Sequence, residues 1–390
     1  MLFVLVALTA LCLGWWGIAA SLARVGRVTG TVRELPLVER ERWPTVAVVV
    51  PARDEAATLG EAVRSRLRSD YPALDVVIVD DRSTDETGAI ADELAEDPRV
   101  RAVHLDELPA GWLGKVHALD AGVAATDSEW LLFSDADVHV EPGTLRRAIH
   151  HAEEVGLDLL AVMPRVVPAG LGPAALHAVF LTFLHVAADA RRAEDPDSPF
   201  APAIGAFSLV RRSALERTEG FEALRLCVDD DLQLGLMLKA AGARCSVRLG
   251  PRSVSVDLYP TVWAAVVGAE KNAWGIASNF SLLRGLAVCV GLPLFELSPW
   301  LLLALAPAGP WSWFAAASGV ALVASSAGAM ILGGRRPWAV LLHPIGVAIL
   351  TFAMLRGTLK GWREGGLAWR GTFYTTETFR RAKRGQTASC

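Results

Sequence analysis

EWLLFSDADVHVEP (residues 129–142) joins a short apolar run to two carboxylates spaced one residue apart, Asp135 and Asp137. The run has the length and composition of a buried strand, and the acidic pair sits where that strand ends. In open α/β sheets, ligands bind beyond the carboxyl ends of the strands. An Asp-x-Asp turn at such an end can give oxygen ligands to a divalent cation, with a diphosphate completing the shell. Taken alone, the three residues are more simply a solvated acidic turn, because motifs this short recur by chance. The neighbouring sequence decides between the two.

Upstream, TVAVVV (45–50) is a continuous apolar run suited to a strand buried on both faces. Residues 56–68 then read as a helix and DVVIV (75–79) as a second buried strand. A helix follows over 84–95, with Ser83 or Asp85 available near its N-terminus. Residues 100–105 fit a third strand, 115–125 a helix, and 130–133 the strand that leads to the acidic pair. This alternation predicts an α/β class: a doubly wound, mainly parallel sheet with helices on both faces and right-handed crossovers.

Four polar clusters fall at the strand ends of that one sheet: Pro51-Ala52-Arg53-Asp54-Glu55, Asp80-Asp81-Arg82-Ser83-Thr84-Asp85, Gly114-Lys115, and Asp135-Ala136-Asp137. Asp85 is placed to cap or open a helix. Asp81 is not, and an ionised carboxylate there can accept from a uracil-like base or from ribose hydroxyls. Lys115 suits a diphosphate as a compact point charge, the plainer alternative being a surface lysine opening a helix. Further on, Asp229-Asp230-Asp231 places three like charges together, which favours a raised pKa in at least one. A base for an acceptor hydroxyl fits there. So does an acidic first turn of a helix, and the readings can hold for different members.

Together these segments resemble the family 2 glycosyltransferases of GT-A fold. PARDE matches their first-strand motif, DDRSTDET the DD-x-S-x-D-x-T motif, DAD the metal motif, and DDLQLGLMLKAAG the helix of the catalytic base. The four occur in order over about residues 44–280. ELPAGWLGKVHALDAGV, GAEKNAW (268–274) and WRGTFY (369–374) are also similar to segments of membrane transferases of the hopanoid-associated and carotenoid-glycosylating groups.

The resemblance implies a nucleotide-diphospho-sugar transferase with an inverting, metal-dependent mechanism. It aligns Asp231 with the catalytic base, with Asp230 beside it. It gives Pro51, Arg53, Glu55, Asp81, Lys115 and Asp135 to the UDP- or GDP-linked donor. It gives Asp137 and Asp135 to Mg²⁺ or Mn²⁺, and Lys271, Asn272 and Trp274 to a membrane-proximal acceptor region. There are departures. Where processive polysaccharide synthases carry Q-x-x-RW, this chain has Glu270-Lys271-Asn272-Ala273-Trp274. Where the closer relatives show Arg-Met-Tyr, it has Asp257-Leu258-Tyr259.

The remaining sequence points to a membrane. The chain of 390 residues is 52% hydrophobic, with a formal charge of −4. No basic stripe with interleaved aromatics suggests nucleic acid. Cys12, Cys227, Cys245, Cys289 and Cys390 are scattered without a C-x-x-C pair, which fits a reducing compartment. Residues 1–23 are long and apolar enough for an uncleaved anchor, and the arginines after them favour the cytoplasmic side. The expected organisation is an anchor (1–23), a GT-A domain (44–258), an interfacial amphipathic segment (259–282), C-terminal transmembrane helices (283–356) and a basic, cytoplasm-facing tail (357–390). That places the chain in the cytoplasmic membrane with its catalytic domain facing the cytoplasm. Three full spans would reverse the side of the tail, but Pro293, Glu296 and Pro299 suit the first stretch to a re-entrant segment. The apolar segment 173–192 suits either an interfacial helix bordering a lipid acceptor or a core helix of the domain.

The function expected is transfer of a sugar to a polyisoprenoid, hopanoid or carotenoid-like lipid. The alternatives are a polysaccharide or other glycolipid synthase of the same family and a non-catalytic membrane partner. A nucleotidyltransferase would need a glycine-rich phosphate loop that PARDEAATLG does not supply.

Overall fold

The computed structural model describes residues 1–187 and 190–386; Cys390 lies outside them. The chain forms two compact units.

The α/β unit is built from Thr29–Val167 and Ala188–Asp257, with Arg381–Cys390 grouped with it. Its strands are β1 (Val46–Ala52), β2 (Leu74–Asp81), β3 (Val100–Leu105), β4 (Trp130–Phe133), β5 (Val138–Val140), β6 (Leu159–Pro168), β7 (Ser208–Arg211) and β8 (Cys245–Leu258). They form one sheet in the order β3-β2-β1-β4-β7-β6-β8-β5. The first four are parallel neighbours, with Val46 level with both Leu74 and Trp130. Every residue of β1 is buried, as its unbroken apolar run requires. Each of its valines contributes roughly 1.5–3 kcal/mol by leaving water.

This geometry positions the site. Because β1, β2 and β4 run in the same direction in register, their C-terminal ends emerge along one edge. β7 runs antiparallel to β4, with Ser208 opposite Phe133. A strand that runs the other way begins where its neighbour ends, so the loop before β7 arrives at the same edge. Residues 201–207 thereby meet the acidic turn after β4.

The second unit comprises Met1–Val28, Pro168–Ala187 and Leu258–Arg380. It contains three helices long and apolar enough to cross a membrane: Leu2–Val28, Pro310–Leu332 and Pro337–Glu364. Helices Leu282–Glu296 and Ser298–Leu305 meet at 64°, as a broken span or a re-entrant loop. The bend follows Pro293 and precedes Pro299, the prolines that suggested it. Leu5, Leu8 and Cys12 pack with Leu302 and Ala315, so the first helix is held by the C-terminal ones.

Two segments differ from their sequence reading. The helix Leu171–Ala187 belongs with the apolar helices rather than with the α/β unit: Ala174 and Ala178 pack on Met330 and Ala339. It carries no charge that would favour water on any face. The basic tail expected over 357–390 carries secondary structure through 386, which its composition did not indicate. The helix His343–Glu364 continues through the first of them, and Gly366–Trp369 pairs with Thr372–Thr375 as a hairpin. Its turn is Arg370-Gly371, both at positive φ (47° and 77°), the conformation that two-residue hairpin turns need.

Candidate active site

The ends of β1 and β2 are laced together by their own polar side chains. Asp54 Oδ1 accepts from the Thr84 amide (2.7 Å) and hydroxyl (3.1 Å), and the Asp54 amide donates to Ser83 Oγ (3.0 Å). The Glu55 amide donates to Thr87 Oγ1 (2.7 Å) and the Ala56 amide to Asp85 Oδ2 (3.1 Å). Asp54 and Arg82 sit at φ 54° and 55°. For residues with a Cβ that conformation costs roughly 1–2 kcal/mol each, and here the lacing holds it. Asp85 also accepts from the Thr87 amide (2.9 Å), so it supports a helix start as well as joining the loops. Asp80 is likewise structural, accepting from the Ser83 amide (3.2 Å) and facing His104.

Asp81 is different. Its side chain is almost fully buried, paired through Oδ1 with Arg82 Nε at 2.8 Å. Its Oδ2 lies 3.9 Å from Arg53 Nη1 and is buried without a hydrogen-bond partner. Arg53 donates to the Asp81 carbonyl (3.0 Å). Beside them, Gly114 leaves room that no other residue would: a Cβ there would come within 2.1 Å of Asp81 Oδ2.

Lys115 follows at the start of the helix Gly114–Ala124. Its ammonium is 3.1 Å from Asp135, 3.2 Å from Asp230 and 3.3 Å from Asp231. Burial works to lower its pKa, but the three carboxylates outweigh that and raise it well above its ordinary value. The surface-lysine alternative is excluded, and the repulsion expected within Asp229-Asp230-Asp231 is relieved by this cation. Asp229 is turned to a local task, accepting from Gln233 Nε2 (2.9 Å). Asp230 is buried at the start of the helix Asp230–Ala240, while the Asp231 side chain is 39% exposed and so accessible to a substrate.

The acidic turn is held from both sides. The Asp135 amide donates to the Gly205 carbonyl (2.9 Å), and Ser134 Oγ to the Ala206 carbonyl (2.8 Å). A Cβ on Gly205 would lie 2.7 Å from Oδ2 of both Asp135 and Asp231, so the two carboxylates converge on that glycine. From beneath, the helix Leu59–Leu67 supplies Ser65, which accepts from the Val140 amide (3.1 Å), and Arg66. Arg66 donates to Ser134 Oγ (2.9 Å) and the Asp135 carbonyl (2.5 Å), with Nε and Nη1 buried and unbonded. Burial lowers this guanidinium to about 10, against the pull of Asp137 and Asp135. The Asp137 carboxyl is pushed up to about 7, first by burial and then by Asp135 and Glu55.

The cleft bounded by Pro51, Lys115, Asp135, Gly205, Asp230 and Asp231 is closely filled, with about 10 Å³ free. Among the described residues no three His, Cys, Asp or Glu side chains form a ready metal cage. The donor set instead fits a hard cation held by one or two carboxylates, which takes its remaining oxygens from phosphate and water. Asp135 and Asp137 could offer such a pair, and a cation beside them would oppose the burial and repulsion that raise Asp137.

Arg66 and Gly205 carry no sequence signal of their own. Each acts from an element remote in sequence, and only the sheet order brings it to the turn. Lys271, Asn272 and Trp274 lie in the other unit. Lys271 Nζ stands 4.1 Å above the Trp369 ring. Asn272–Ala277 is a π-helical segment, a form often found at functional sites. Trp274 was expected at a membrane interface; instead it is buried and donates to Thr376 Oγ1 (3.0 Å). Its ring fills the space left by Gly361, where a Cβ would lie 2.3 Å from it. Trp263, in the same unit, is 57% exposed.

Residues 44–276 match the family model described as glycosyltransferase like family 2. The chain is similar to the succinoglycan biosynthesis protein ExoO of Rhizobium meliloti (strain 1021), 36% identical over 121 residues, 30% of this chain and 33% of that protein. It is also similar to the beta-monoglucosyldiacylglycerol synthase of Synechocystis sp. (strain ATCC 27184 / PCC 6803 / Kazusa), 36% identical over 110 residues, 27% of this chain and 22% of that protein. The chain thus spans a third or less of the length of these curated relatives. Among solved structures, its fold is like that of the mannosyltransferase PcManGT from Pyrobaculum calidifontis in complex with GDP-Man and Mn²⁺. The TM-score is 0.54 at 18% identity, over 92% of this chain and 97% of that one. The sheet is therefore of the GT-A type, as the sequence motifs implied, and with 44–276 of its 390 residues matched, the chain belongs to the glycosyltransferase like family 2.

Proposed function

We propose that this chain transfers a sugar, with inversion, from a nucleoside-diphosphate sugar to a lipid acceptor. The observation that carries the reading is the convergence of Asp135, Asp230 and Asp231 around Lys115, at the strand edge where Asp81 keeps a buried, unbonded oxygen. An orphaned carboxylate oxygen costs about 1–3 kcal/mol until it meets a donor, and the N–H of a base or a ribose hydroxyl supplies one. Pro51, Arg53 and Glu55 form the wall beside it. Lys115 offers positive charge to the diphosphate. Asp135 and Asp137 would hold Mg²⁺ or Mn²⁺, which supplies charge stabilisation for the leaving diphosphate. Asp231 takes the proton of the acceptor hydroxyl as that oxygen attacks the anomeric carbon on the face opposite the leaving group. Asp230, beside it, keeps the base near Lys115.

The lipid acceptor is supported by three helices able to cross a membrane and by the diacylglycerol in the name of one relative. A polyisoprenoid, hopanoid or carotenoid-like alcohol fits the same reading. In this reading the chain is anchored in the cytoplasmic membrane, with the α/β unit on the cytoplasmic side.

Titration calorimetry of UDP and GDP on the detergent-solubilised chain, with Mn²⁺ and with EDTA, tests the donor site. One nucleotide is expected to bind, and only with metal. Asp231→Asn should reduce transfer by roughly 10²–10⁴-fold, the usual span of a general base, with nucleotide affinity unchanged. Full transfer by that variant removes Asp231 from the mechanism.

A further inference from the structure

A second cavity lies in the α/β unit, apart from the acidic cleft. Its volume is about 620 Å³, within the roughly 300–1,000 Å³ of small-molecule sites. It is bounded by the start of β8, the C-terminal part of the helix Asp230–Ala240 and the end of the helix Thr144–Val155. Ser246 and Arg248, alternate residues of β8, line it together with Arg244, the residue before that strand. Lys239 joins them, and Val155 and Leu157 form an apolar wall.

The charge there is not balanced. Neither Lys239, Arg244 nor Arg248 has a carboxylate within ion-pairing distance among the described residues. Lys239 Nζ donates to the Ala193 carbonyl (2.6 Å), which leaves its charge uncompensated. Arg248 Nη2 is 3.1 Å from His151 Nε2, and Arg248 Nε is buried with no hydrogen-bond partner. His151 is held below its usual pKa, by burial and then by Arg248, so it adds no competing cation. Glu194, the carboxylate in the lining, accepts from Ser246 Oγ (2.7 Å). Three cations thus face one carboxylate, in a cavity that the sugar-transfer reading does not use.

We propose that this cavity is a second binding site, for a phosphate monoester with an apolar body. Two net positive charges match a dianion better than a single carboxylate, and paired guanidinium groups suit the oxygens of phosphate. Val155 and Leu157 accommodate carbon atoms next to it. The phosphate belongs to a soluble metabolite or to a lipid headgroup, and the chemistry recognised is the same.

The test uses the full chain in detergent, with EDTA to silence metal-dependent donor binding. The soluble probe is glycerol 3-phosphate, followed by calorimetry. The lipid probe is phosphatidylcholine vesicles carrying phosphatidic acid, a monoester, or phosphatidylglycerol, a diester. Binding is expected to one probe class, with phosphatidic acid preferred over phosphatidylglycerol if the source is lipid. The double variant Arg244→Gln/Arg248→Gln should bind at least tenfold more weakly, whereas Asp81→Asn should bind as wild type. The melting transition shows that each variant is folded. Absence of binding to both probes, equal binding of the two anionic lipids, or binding unaffected by the double replacement would overturn the proposal.

Discussion

With its ammonium 3.1–3.3 Å from three carboxylates, Lys115 does inside the chain what a divalent cation does in many acidic clefts. Its side chain is 10% exposed, so water screens it little. Lys115→Met leaves Asp135, Asp230 and Asp231 facing one another. Removing one partner of a buried ion pair costs up to about 3–5 kcal/mol, less where the partners are partly exposed as Asp135 and Asp231 are, and a fall in Tm is expected. Mg²⁺ should raise the Tm of this variant more than that of the wild type, because the ion fills the charge the lysine vacated. Arg66 acts one layer below. Replacing it with Met strips the Asp135 carbonyl and Ser134 Oγ of their buried donor. Groups that orient metal ligands typically matter by 10–100-fold, so Mn²⁺ affinity in the presence of nucleotide should drop roughly tenfold by calorimetry. At this scale Asp81 and Asp135 drew notice as motif carboxylates at strand ends, and Lys115 and Asp231 as motif residues at helix starts. Arg66 did not, because an arginine inside a helix reads as a surface charge until its burial is known.

Among the elements, the helix Asp230–Ala240 depends on a residue that contacts no substrate. Gly235 faces the loop before β7, where a Cβ would lie 2.0 Å from the Ala201 carbonyl and 2.5 Å from the Ala203 amide. Backbone cannot yield as a side chain can, so Gly235→Ala forces the helix off that loop and Asp231 moves with it. Overpacking of this kind costs about 1–3 kcal/mol, and both Tm and transfer rate should fall with the surroundings of Asp81 unchanged. In the other unit, Gly357 and Gly361 are spaced i, i+4 on one helix face, where a Cβ would meet Ala273 and Glu270 or the Trp274 ring. That spacing is a known means of close helix approach in apolar surroundings. The strands β1, β2 and β4 were readable as apolar runs of the length of a strand, and β3 by its place between two helices. β5, β7 and β8 were not, because they are short or alternate polar with apolar residues, and their antiparallel order follows from pairing across long stretches of sequence. The Arg370-Gly371 turn was visible only as part of a motif, not as a conformation.

The molecule as a whole interleaves its two units. The chain leaves the apolar unit after Val28, returns for Pro168–Ala187, leaves again and comes back at Leu258. A truncation after Asp257 therefore does not release the α/β unit free of apolar helices. It strands the helices Leu2–Val28 and Leu171–Ala187 without Pro310–Leu332 and His343–Glu364, against which they pack. Size-exclusion chromatography of that fragment should show aggregate where the full chain in detergent elutes as a single species. Composition disclosed the apolar segments but not this weaving, since nothing in residues 168–187 says which partner they choose. The weaving also sets a timetable for synthesis. Trp16 bonds to Ser318, 302 residues later. At roughly 5–20 residues per second, the ribosome needs tens of seconds to make the second of these after the first. The helix Leu2–Val28 thus has only Leu171–Ala187 to pack against until the C-terminal helices are made, and a polypeptide abandoned before that point displays most of its apolar face to the quality-control machinery of the cell.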